Sequence, residues 1–454
     1  MRLLADIAAG LVDAPPDVRV SDVTLDSRAV RAGALFLACR GTTRHGIEFA
    51  QQAIDGGARA ILYEREGIEP GPGAQALPGH LRAAAAGGRV FVAPVPRLAE
   101  QAGLIADRFF EAPSRFLTVA AVTGTNGKTT CAYLTAQALS RLGRRTGYLG
   151  TLGCGLPEAI EPLDLTTPDA VTVHRKLAEL RRLGAECVAM EVSSHALAQG
   201  RVNGVRFRTA AFTNLTRDHL DFHGSMEAYG AAKARLLERE LDARIINIDD
   251  AFGRELATRF RSASGRLIVT SRDGVDWPHA DRLCARDVRL GPSGSSFAIE
   301  STWGAAQLAV PLIGAFNVDN VLTVLGVLLS LGEPLARAIA VLAECGAAPG
   351  RMEIIRGRAA DPAAIVDYAH TPDALAKALQ AARAHCPGTL RVVFGCGGDR
   401  DRGKRAPMGR TARELADEII VTDDNPRTED PRSIVADIVA GIVAGTAGAR
   451  AALH

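Results

Sequence analysis

Residues 121–130, with the sequence AVTGTNGKTT, indicate the fold of the central part of this chain. The apolar run at residues 116–122 predicts a buried strand, and residues 131–142 have the spacing of a helix that stops at Gly143. A strand, a glycine loop and a helix in this order are the context of a phosphate-binding loop, here of the short form G-x-x-G-K-T. A tight turn that happens to contain Gly and Lys is the alternative, but the flanking elements favour the loop.

Each residue type in this loop suits the binding of a nucleoside triphosphate. Gly124 and Gly127 allow backbone N–H groups to approach phosphate oxygens, and the N-terminus of the next helix adds a positive partial charge. Lys128 can reach the outer phosphates, and the hydroxyl of Thr129 or Thr130 can hold Mg²⁺. We therefore expect a nucleotide and its magnesium ion at the end of this strand.

Length and composition indicate a cytoplasmic protein of several domains. A length of 454 residues predicts about three domains at roughly 150 residues each. The net charge of +2 gives no indication of a nucleic-acid partner, and neither a membrane-spanning run nor a signal peptide is visible. The eight cysteines are scattered without a C-x-x-C pair, as is typical of reduced thiols in a cytosolic protein.

Strand and helix patterns alternate along the whole chain, as in an α/β protein, and divide it into three expected domains. They are residues 1–112, residues 113–348 around the phosphate loop, and residues 349–454. The central domain is expected to be a parallel sheet with helices on both faces. The last domain reads as Rossmann-like, with strands at residues 364–366, 392–394 and 419–422, and as incomplete, which would leave its final strand as an exposed edge.

Polar residues follow two central strands, at residues 187–192 and 209–213. Glu191 ends the first strand, and His219 follows the second. Because ligands of parallel sheets collect at the carboxyl ends of the strands, these two side chains predict a metal site beside the phosphate loop. The alternative is that both are ordinary polar groups of loops.

Lysine is rare in this chain, which makes its positions informative. Of the 53 basic residues only five are lysine, at Lys128, Lys176, Lys233, Lys377 and Lys404. The helical pattern at residues 226–237 places alanines around Lys233, so its amine is expected to be partly desolvated, with a lowered pKa and the ability to react. A surface lysine is the alternative, and it is our interpretation of Lys176 and Lys377.

Eight motifs in order resemble the Mur ligase family. They are GTNGKTT, EVSSHAL, NLTRDHLDFHG with AAKA behind it, GAFNVDN, PGRME, VDYAHTPDAL, FGCGGDRDRGKR and DDNPRTEDP. This resemblance implies a three-domain, ADP-forming amide ligase of peptidoglycan synthesis, which uses ATP and Mg²⁺ on small-molecule substrates and works as a monomer. The sequence is most similar to the branch that adds meso-diaminopimelate to a UDP-linked muramoyl dipeptide (UDP-MurNAc-dipeptide).

The resemblance also assigns roles to residues. It places ATP on Gly124, Thr125, Asn126, Gly127, Lys128, Thr129, Thr130, Asn317, Asn320, Arg351 and Asp367. It places the UDP-linked substrate on Leu25, Ser27, Thr42, Thr43, Arg44, Thr166, Thr167, Ser193, Gln199 and Arg201. It places the incoming amino acid on Arg400, Asp424, Asn425, Pro426 and Arg427. The catalytic residues implied are Lys128, Glu191, His219 and Lys233.

The metal ligands implied by the resemblance are Thr129, Glu191, His219 and Lys233, the last after CO₂ has converted its amine to a carbamate. Asn317 is in addition expected to cap a helix at residues 321–331. One departure from the family pattern is His45-Gly46, where the family has Asp-Gly after the segment that binds uridine.

A second departure is at the C-terminal end, where the family carries a Gly-Lys-Gly-His-Glu type of stretch that completes the amino-acid site. We therefore also expect that this chain binds both nucleotides but ligates poorly and that its last domain melts first. A lysine-adding enzyme or a folylpolyglutamate-type ligase remains an alternative, although DNPR at residues 424–427 favours meso-diaminopimelate. An arginine there can grip a second carboxylate with two hydrogen bonds.

Overall fold

A computed structural model describes residues 1–41, 43–66, 81, 85–358 and 362–444. The chain forms two compact units, Met1–Ile268 and Val269–His454. The predicted α/β class is confirmed in both units. All eight cysteines are free thiols, as the scattered spacing predicted. Within the described residues, no helix combines the length and apolar character that crossing a membrane requires.

The first unit begins with a four-stranded parallel sheet. Its strands, in sheet order, are Val23–Thr24, Leu35–Ala38, Ala60–Tyr63 and Phe91–Pro94. The helices Leu4–Ile7, Ala50–Asp55 and Leu98–Phe109 and the 3₁₀ turns Ser27–Ala29 and Gly46–Phe49 accompany it, with a small antiparallel pair of Arg2–Leu3 and Arg19–Val20.

Alternating side chains fix which face of this sheet meets which helix. Leu35 and Leu37 belong to a core cluster shared with helix Leu98–Phe109. Phe36 and Ala38 point the other way, into a second cluster shared with helix Ala50–Asp55. Because side chains of a strand alternate between faces, the apolar run LFLA can be buried on both sides.

The phosphate-loop strand Thr118–Thr123 lies inside the central sheet of the first unit. The sheet order is Ala159–Glu161, Gly153–Leu156, Thr146–Gly150, Cys187–Glu191, Thr118–Thr123, Thr209–Phe212, Ala243–Asn247 and Arg266–Ser271. The strands from Thr146–Gly150 to Ala243–Asn247 pair in parallel, as predicted. Their carboxyl ends therefore meet at one edge, where the loop leaves the sheet.

The helices of the central part follow these strands along the chain. They are Lys128–Arg141, Ala170–Arg182, Ser194–Ala198, Leu220–His223, Met226–Leu237 and Ala251–Arg259, with a 3₁₀ turn at Pro113–Arg115. The helix after the phosphate loop begins at Lys128, three residues earlier than the apolar spacing predicted, because the loop itself supplies the first turn.

The second unit starts with an antiparallel meander of Asp281–Gly291, Gly294–Ser301 and Gly304–Val310. The apolar helix Phe316–Ser330 and the helix Leu335–Ala343 follow. The predicted cap by Asn317 is wrong: the helix has already begun at Phe316, and no side chain caps it. Asn317 instead lies in the first turn, where its amide donates to the carbonyl of Ile313 at 2.7 Å.

The rest of the second unit contains two separate strand pairs. Ala364–Val366 pairs antiparallel with Glu353–Ile355, whereas Arg391–Phe394 pairs in parallel with Glu418–Val421. The expectation of one sheet containing all three sequence-predicted strands is therefore wrong for the described residues. The helices Pro372–His385, Arg405–Leu415 and Pro431–Val443 and the 3₁₀ turn Arg402–Lys404 complete this part.

Candidate functional site at the phosphate loop

Two glycines set the shape of the phosphate loop. Gly124 and Gly127 have φ angles of +146° and +85°, a region in which only glycine is unstrained. A Cβ at Gly124 would lie 1.9 Å from Oγ1 of Thr213 and 3.1 Å from the backbone nitrogen of Asn214. The loop therefore needs glycine at this position for both conformation and space.

Residues 213–216 hold the loop from the neighbouring strand end. The backbone N–H groups of Thr125 and Asn126 donate to Asn214, to its carbonyl at 2.8 Å and to its Oδ1 at 3.0 Å. In return, Oγ1 of Thr213 donates to the carbonyl of Asn126 at 2.6 Å, and the N–H of Thr216 donates to Oγ1 of Thr125 at 3.0 Å. The protein thus fixes the loop by itself, which preorganises it for a ligand.

Two lysines converge on the carbonyl of Gly124. Nζ of Lys128 donates to that carbonyl at 3.0 Å and to the carbonyl of Thr125 at 2.9 Å. Nζ of Lys233, from helix Met226–Leu237, donates to the Gly124 carbonyl at 2.7 Å. Lys233 is 1% exposed, so the structure places a buried amine directly against the phosphate loop.

The environment of Lys233 favours its neutral form. Burial, and after it the nearby charge of Lys128, lowers the pKa of Lys233 from 10.5 to about 6, while Asp218 acts in the opposite direction. Its Nζ lies 4.4 Å from the centre of the Tyr229 ring. At neutral pH the amine is therefore largely uncharged and nucleophilic, which agrees with the desolvation predicted from the alanines around it.

Glu191 lies fully buried at the end of its strand, 0% exposed, and accepts hydrogen bonds from three residues. Oγ1 of Thr129 donates to Oε2 at 3.0 Å, which links the carboxylate to the loop helix. Tyr148 Oη donates to Oε1 at 2.5 Å, the Thr151 N–H donates to Oε1 at 2.8 Å, and Thr151 Oγ1 donates to Oε2 at 3.2 Å. Thr166, predicted to contact substrate, shares a hydrogen bond of 3.0 Å with Thr151 Oγ1.

His219 belongs to a group of aromatic rings beside helix Met226–Leu237. Its backbone has φ of +51°, its side chain is 46% exposed, and its Nε2 lies 3.3 Å from Oδ2 of Asp218. The ring centres of His195 and His219 are 4.8 Å apart. Burial, followed by the charges of His219 and His223, lowers the pKa of His195.

No group of three or more His, Cys, Asp or Glu side chains arranged to hold a metal occurs in the described part of the chain. The residues expected at the metal site nevertheless include the oxygen donors that Mg²⁺ prefers. Oγ1 of Thr129 and Oε2 of Glu191 lie 3.0 Å apart. The buried Lys233 lies against the same loop. These residues fit an ion that is bound partly by nucleotide oxygens.

Four residues expected to contact the muramoyl dipeptide form one hydrogen-bonded group. Thr167 Oγ1 donates to the carbonyl of Glu191 at 2.9 Å and accepts from the Ser193 N–H at 3.1 Å. Arg201 donates to the Thr167 carbonyl and to Oε1 of Gln199, each at 2.8 Å. These residues therefore lie next to the candidate metal site.

A cavity of about 850 Å³ opens in the N-terminal part of the first unit. Leu25, Ser27 and Arg44, all expected to bind the uridine nucleotide, line it. Thr43, which precedes Arg44 in the chain, is exposed, and Thr42 lies outside the described residues. The structure thus brings most of the predicted uridine contacts to one cavity.

His45, the departure from the family pattern, has a capping role. Its Nδ1 accepts a hydrogen bond from the N–H of Ile47 at 3.1 Å, and Glu48 Oε1 accepts from the His45 N–H at 2.9 Å. An aspartate at this position could accept the same backbone N–H groups. The substitution therefore preserves the local turn of Gly46–Phe49.

The residues expected around adenine and ribose lie in the second unit. Asn317 and Asn320 are buried and hydrogen-bonded to each other at 2.8 Å. The guanidinium of Arg351 lies 4.9 Å from the centre of the exposed Tyr368 ring. Asp367 is exposed, and its Oδ2 accepts the N–H of residue 352 at 2.9 Å.

The residues expected to bind the amino acid lie on two loops at the ends of the parallel strands Arg391–Phe394 and Glu418–Val421. The N–H of Gly398 donates to the carbonyl of Asn425 at 3.1 Å, and Nη1 of Arg427 donates to the carbonyl of Gly398 at 2.6 Å. The two loops therefore support each other.

These loops present polar side chains to solvent. Arg400, Asp424, Asn425 and Arg427 are exposed, and Pro426 is half-buried. Asn425 and Arg427 have positive φ angles of 40° and 53°, which are strained for residues with a side chain. The sequence motif thus forms an accessible polar surface.

Several residues at the loop site were not identified from sequence. Tyr229 lies four residues before Lys233 on one helix, so helical periodicity could have found it; its Oη lies 3.1 Å from Oγ1 of Thr125. Tyr148 and Thr151 carry no motif, and only the pairing of neighbouring strands brings them to Glu191. Lys404, which had no explanation, donates to the carbonyl of His370 at 2.8 Å.

Comparisons with known families match the chain in three consecutive segments. Residues 19–110 match "Mur ligase family, catalytic domain", residues 122–328 match "Mur ligase middle domain", and residues 350–453 match "Mur ligase, glutamate ligase domain".

Individual relatives are similar over almost the whole chain. UDP-N-acetylmuramoyl-L-alanyl-D-glutamate--2,6-diaminopimelate ligase of Xanthomonas campestris pv. campestris strain 8004 is 46% identical over 97% of this chain and 84% of its own length. The protein of the same name from Ectopseudomonas mendocina is 48% identical over 94% of this chain and 84% of its own length. A solved structure of a ligase with this name has a TM-score of 0.75 at 33% identity, covering 100% of this chain and 88% of that one.

Proposed function

Because this chain belongs to the Mur ligase family, we propose that it is an ATP-dependent ligase of peptidoglycan synthesis. It joins meso-diaminopimelate to the D-glutamate of UDP-N-acetylmuramoyl-L-alanyl-D-glutamate and forms ADP and phosphate. The names of relatives 46% identical over 97% of the chain support this substrate pair. The observation that carries the proposal is the phosphate loop with a buried Lys233 amine 2.7 Å from the Gly124 carbonyl.

ATP lies on the phosphate loop in this proposal. The phosphate loop suits a phosphate group for two reasons. Gly124 has no side chain to block the close approach of a ligand, and Gly127 directly precedes the positive N-terminus of helix Lys128–Arg141. Thr129 and Glu191 would hold Mg²⁺ with their oxygen atoms, and His219 would complete the ligands of a second ion. Bound there, Mg²⁺ would neutralise charge on the transferring phosphoryl group.

Lys233 supplies the remaining metal ligand after modification. Its neutral amine attacks CO₂, a C–N bond forms, and a proton leaves to give a carbamate anion. This reaction needs an unprotonated amine, and the lowered pKa of about 6 supports it at neutral pH. The carbamate then presents oxygen atoms where the unreacted lysine would present only a neutral amine nitrogen.

The reaction proceeds in two transfers. The γ-phosphoryl group of ATP passes to the D-glutamate side-chain carboxylate and gives an acyl phosphate and ADP. Lys128 stabilises the developing negative charge with its ammonium, which the carbonyls of Gly124 and Thr125 hold on the phosphate loop. The amine of diaminopimelate then attacks the acyl carbon, an amide bond forms, and phosphate leaves. Water must be excluded, since it would hydrolyse the acyl phosphate.

The substrates occupy the surfaces described above. The uridine nucleotide takes the N-terminal cavity at Leu25, Ser27 and Arg44. The dipeptide extends toward the group formed by Thr167, Ser193, Gln199 and Arg201, together with Thr166. Diaminopimelate takes the loops with Arg400, Asp424, Asn425, Pro426 and Arg427, where an exposed arginine suits its distal carboxylate. The family resemblance assigns Asn317, Asn320, Arg351 and Asp367 to ATP as well.

We also propose three functional domains at residues 1–112, 113–348 and 349–454. The three matched family segments support this division. The compact units divide at Ile268 instead, because the meander of the central domain packs with the C-terminal part. A cytoplasmic location and a monomeric state remain predictions.

The test is an assay of the full chain with ATP, Mg²⁺ and the UDP-linked dipeptide. We expect ADP release that requires meso-diaminopimelate, a product whose mass equals the tripeptide conjugate, and slow use of L-lysine. ATP binding without ADP release would leave a nucleotide-binding protein. Glutamate addition to a folate would identify a folylpolyglutamate-type ligase instead.

A further inference from the structure

The two oxygens of the Glu191 carboxylate receive different kinds of donor. Oε1 accepts from the phenol of Tyr148 at 2.5 Å and from the backbone N–H of Thr151 at 2.8 Å. Oε2 accepts from two aliphatic hydroxyls, Oγ1 of Thr129 at 3.0 Å and Oγ1 of Thr151 at 3.2 Å. A backbone N–H cannot turn away, whereas an aliphatic hydroxyl can rotate its proton elsewhere and offer a lone pair.

Tyr148 is itself fixed in place. It is 0% exposed on strand Thr146–Gly150, and its ring packs edge-on against Tyr133 with centres 6.0 Å apart. Its Oη accepts the N–H of Leu152 at 3.3 Å while it donates to Glu191. A phenol held from both sides is a rigid donor, and its bond to a carboxylate is charge-assisted.

Gly150 closes the space beside Oε1. A Cβ at this residue would lie 2.2 Å from Oε1 of Glu191 and 2.5 Å from Oη of Tyr148. The backbone of Gly150 therefore lies close to this side of the carboxylate, where Oε1 already accepts its two fixed hydrogen bonds. Oε2, on the side of Thr129 and the phosphate loop, is the oxygen left for a ligand.

We propose that Tyr148 is a positioning residue that anchors Oε1, so that Glu191 presents Oε2 alone, together with Thr129 Oγ1, to the nucleotide-bound cation. This inference rests on the proposed function, which places that cation at Thr129 and Glu191. Tyr148 does not touch substrate; it acts only by fixing the carboxylate that does the binding.

The test compares cation binding by the full chain and its Tyr148→Phe variant. Mn²⁺ is the probe, and its free concentration is measured by electron paramagnetic resonance in the presence of a non-hydrolysable ATP analogue. Loss of a charge-assisted hydrogen bond should weaken Mn²⁺ binding roughly tenfold or more. Binding of the analogue in EDTA should not change, which separates positioning of the ion from damage to the loop. Tyr63→Phe, on the N-terminal sheet, is the matched control.

Thr151→Val provides a second, independent variant, because Thr151 is exposed and the change keeps its backbone N–H. It removes only a hydroxyl that must turn away from Oε2 when the ion binds, so Mn²⁺ affinity should fall less than about threefold. Unchanged Mn²⁺ affinity in folded Tyr148→Phe, or a larger loss in Thr151→Val than in Tyr148→Phe, overturns the inference. Failure of the unmodified chain to bind Mn²⁺ with the analogue would instead overturn the proposed function.

Discussion

The molecule contains two loop clusters at the ends of parallel strands, and they are built in opposite ways. The phosphate loop of the first unit lies against buried groups, with Glu191 and Lys233 at 0% and 1% exposure. The loops at residues 395–400 and 422–428 of the second unit point exposed polar side chains to solvent. They hold each other through backbone carbonyls and through the exposed carboxylate of Asp399, which accepts hydrogen bonds from Thr428. The first cluster is preorganised for charge chemistry, whereas the second is an accessible recognition surface.

The difference in burial between the two loop clusters predicts where a single substitution should have the largest effect on activity or stability. In the buried cluster each polar group is held by directional bonds at low dielectric, so removal of one group leaves its partners without compensation. In the exposed cluster water can replace a lost contact. We therefore expect the largest effects at the phosphate loop and smaller ones at the solvent-facing surfaces.

The largest effect is expected for Lys233→Ala. Loss of the carbamate should reduce ligation at least roughly 10²-fold, because a charge-stabilising group is removed from the reacting centre. ATP binding, measured by calorimetry, should change little, and added bicarbonate should not restore activity. Lys377→Ala, which removes a surface lysine paired with Asp373 at 2.7 Å, is the control. Full activity of Lys233→Ala would exclude the carbamate.

The pH dependence of ligation by the wild-type enzyme also tests the role of Lys233. Lys233 has a pKa of about 6, below its ordinary value, so its amine is neutral above that pH and protonated below it. At low bicarbonate, ligation activity should therefore fall as the pH drops through about 6, because the protonated amine cannot react with CO₂. Activity should recover when the pH is raised again and CO₂ is supplied. A flat profile across this range would contradict the reactive amine.

Arg405→Ala tests how much a buried ion-pair group contributes to the stability of the second unit. Arg405 is 1% exposed and pairs with Glu429 and Asp437, both at 2.9 Å. Removal of the arginine leaves Glu429 without its main partner, so the second unit should melt about 5 °C or more lower. Scanning calorimetry and amide exchange in helix Pro431–Val443 would measure this. The control is Arg410→Ala, an exposed arginine on helix Arg405–Leu415, which also contains Arg405.

The stability that the Arg405–Glu429 ion pair contributes depends on pH through the carboxyl group of Glu429. The hydrogen bonds from Arg405 are the main cause that lowers the pKa of Glu429. Its stabilising contribution is therefore present above the unfolded pKa of about 4.3 and is lost as pH falls through the lower folded value. The stability difference between the unmodified protein and Arg405→Ala should narrow in acid.

A moderate effect is expected for Arg427→Ala. If Arg427 binds the distal carboxylate, the KM for diaminopimelate should rise about tenfold while the KM for ATP stays near its original value. Because the side chain is exposed, we expect less than the loss typical of a buried pair. Exposed Arg432→Ala is the control. Equal rises in both KM values would remove the assigned role.

The smallest effect is expected for Ser27→Ala in the N-terminal cavity. Oγ of Ser27 donates to Oε1 of Gln52 at 2.7 Å, which orients both groups at the cavity wall. Loss of one neutral hydrogen bond should raise the KM for the UDP-linked dipeptide about threefold. Exposed Ser21→Ala serves as the control. A Ser27→Ala enzyme with unchanged KM would place the uridine elsewhere.

The α/β class, the phosphate loop and most of its flanking strand and helix were predictable from the amino-acid sequence. These follow from local patterns: glycines that must take positive φ, an apolar run before them and helical spacing after them. The buried state of Lys233 was also predictable, because alanines surround it on one helix. Each of these features depends on residues that are close together in the chain.

Contacts between groups that are distant in the chain were not predictable from the sequence and required the folded structure. Strand pairing brings Tyr148 and Thr151 to Glu191, although neither residue stands out in the sequence. It also places Asn214, the first residue of the motif NLTRDHLDFHG, against the phosphate loop. The same cause explains the errors: the start of helix Phe316–Ser330 and the partner of strand Ala364–Val366 depend on packing rather than on local pattern. Local chemistry fixed the type of site, and long-range pairing fixed the geometry in which it can act.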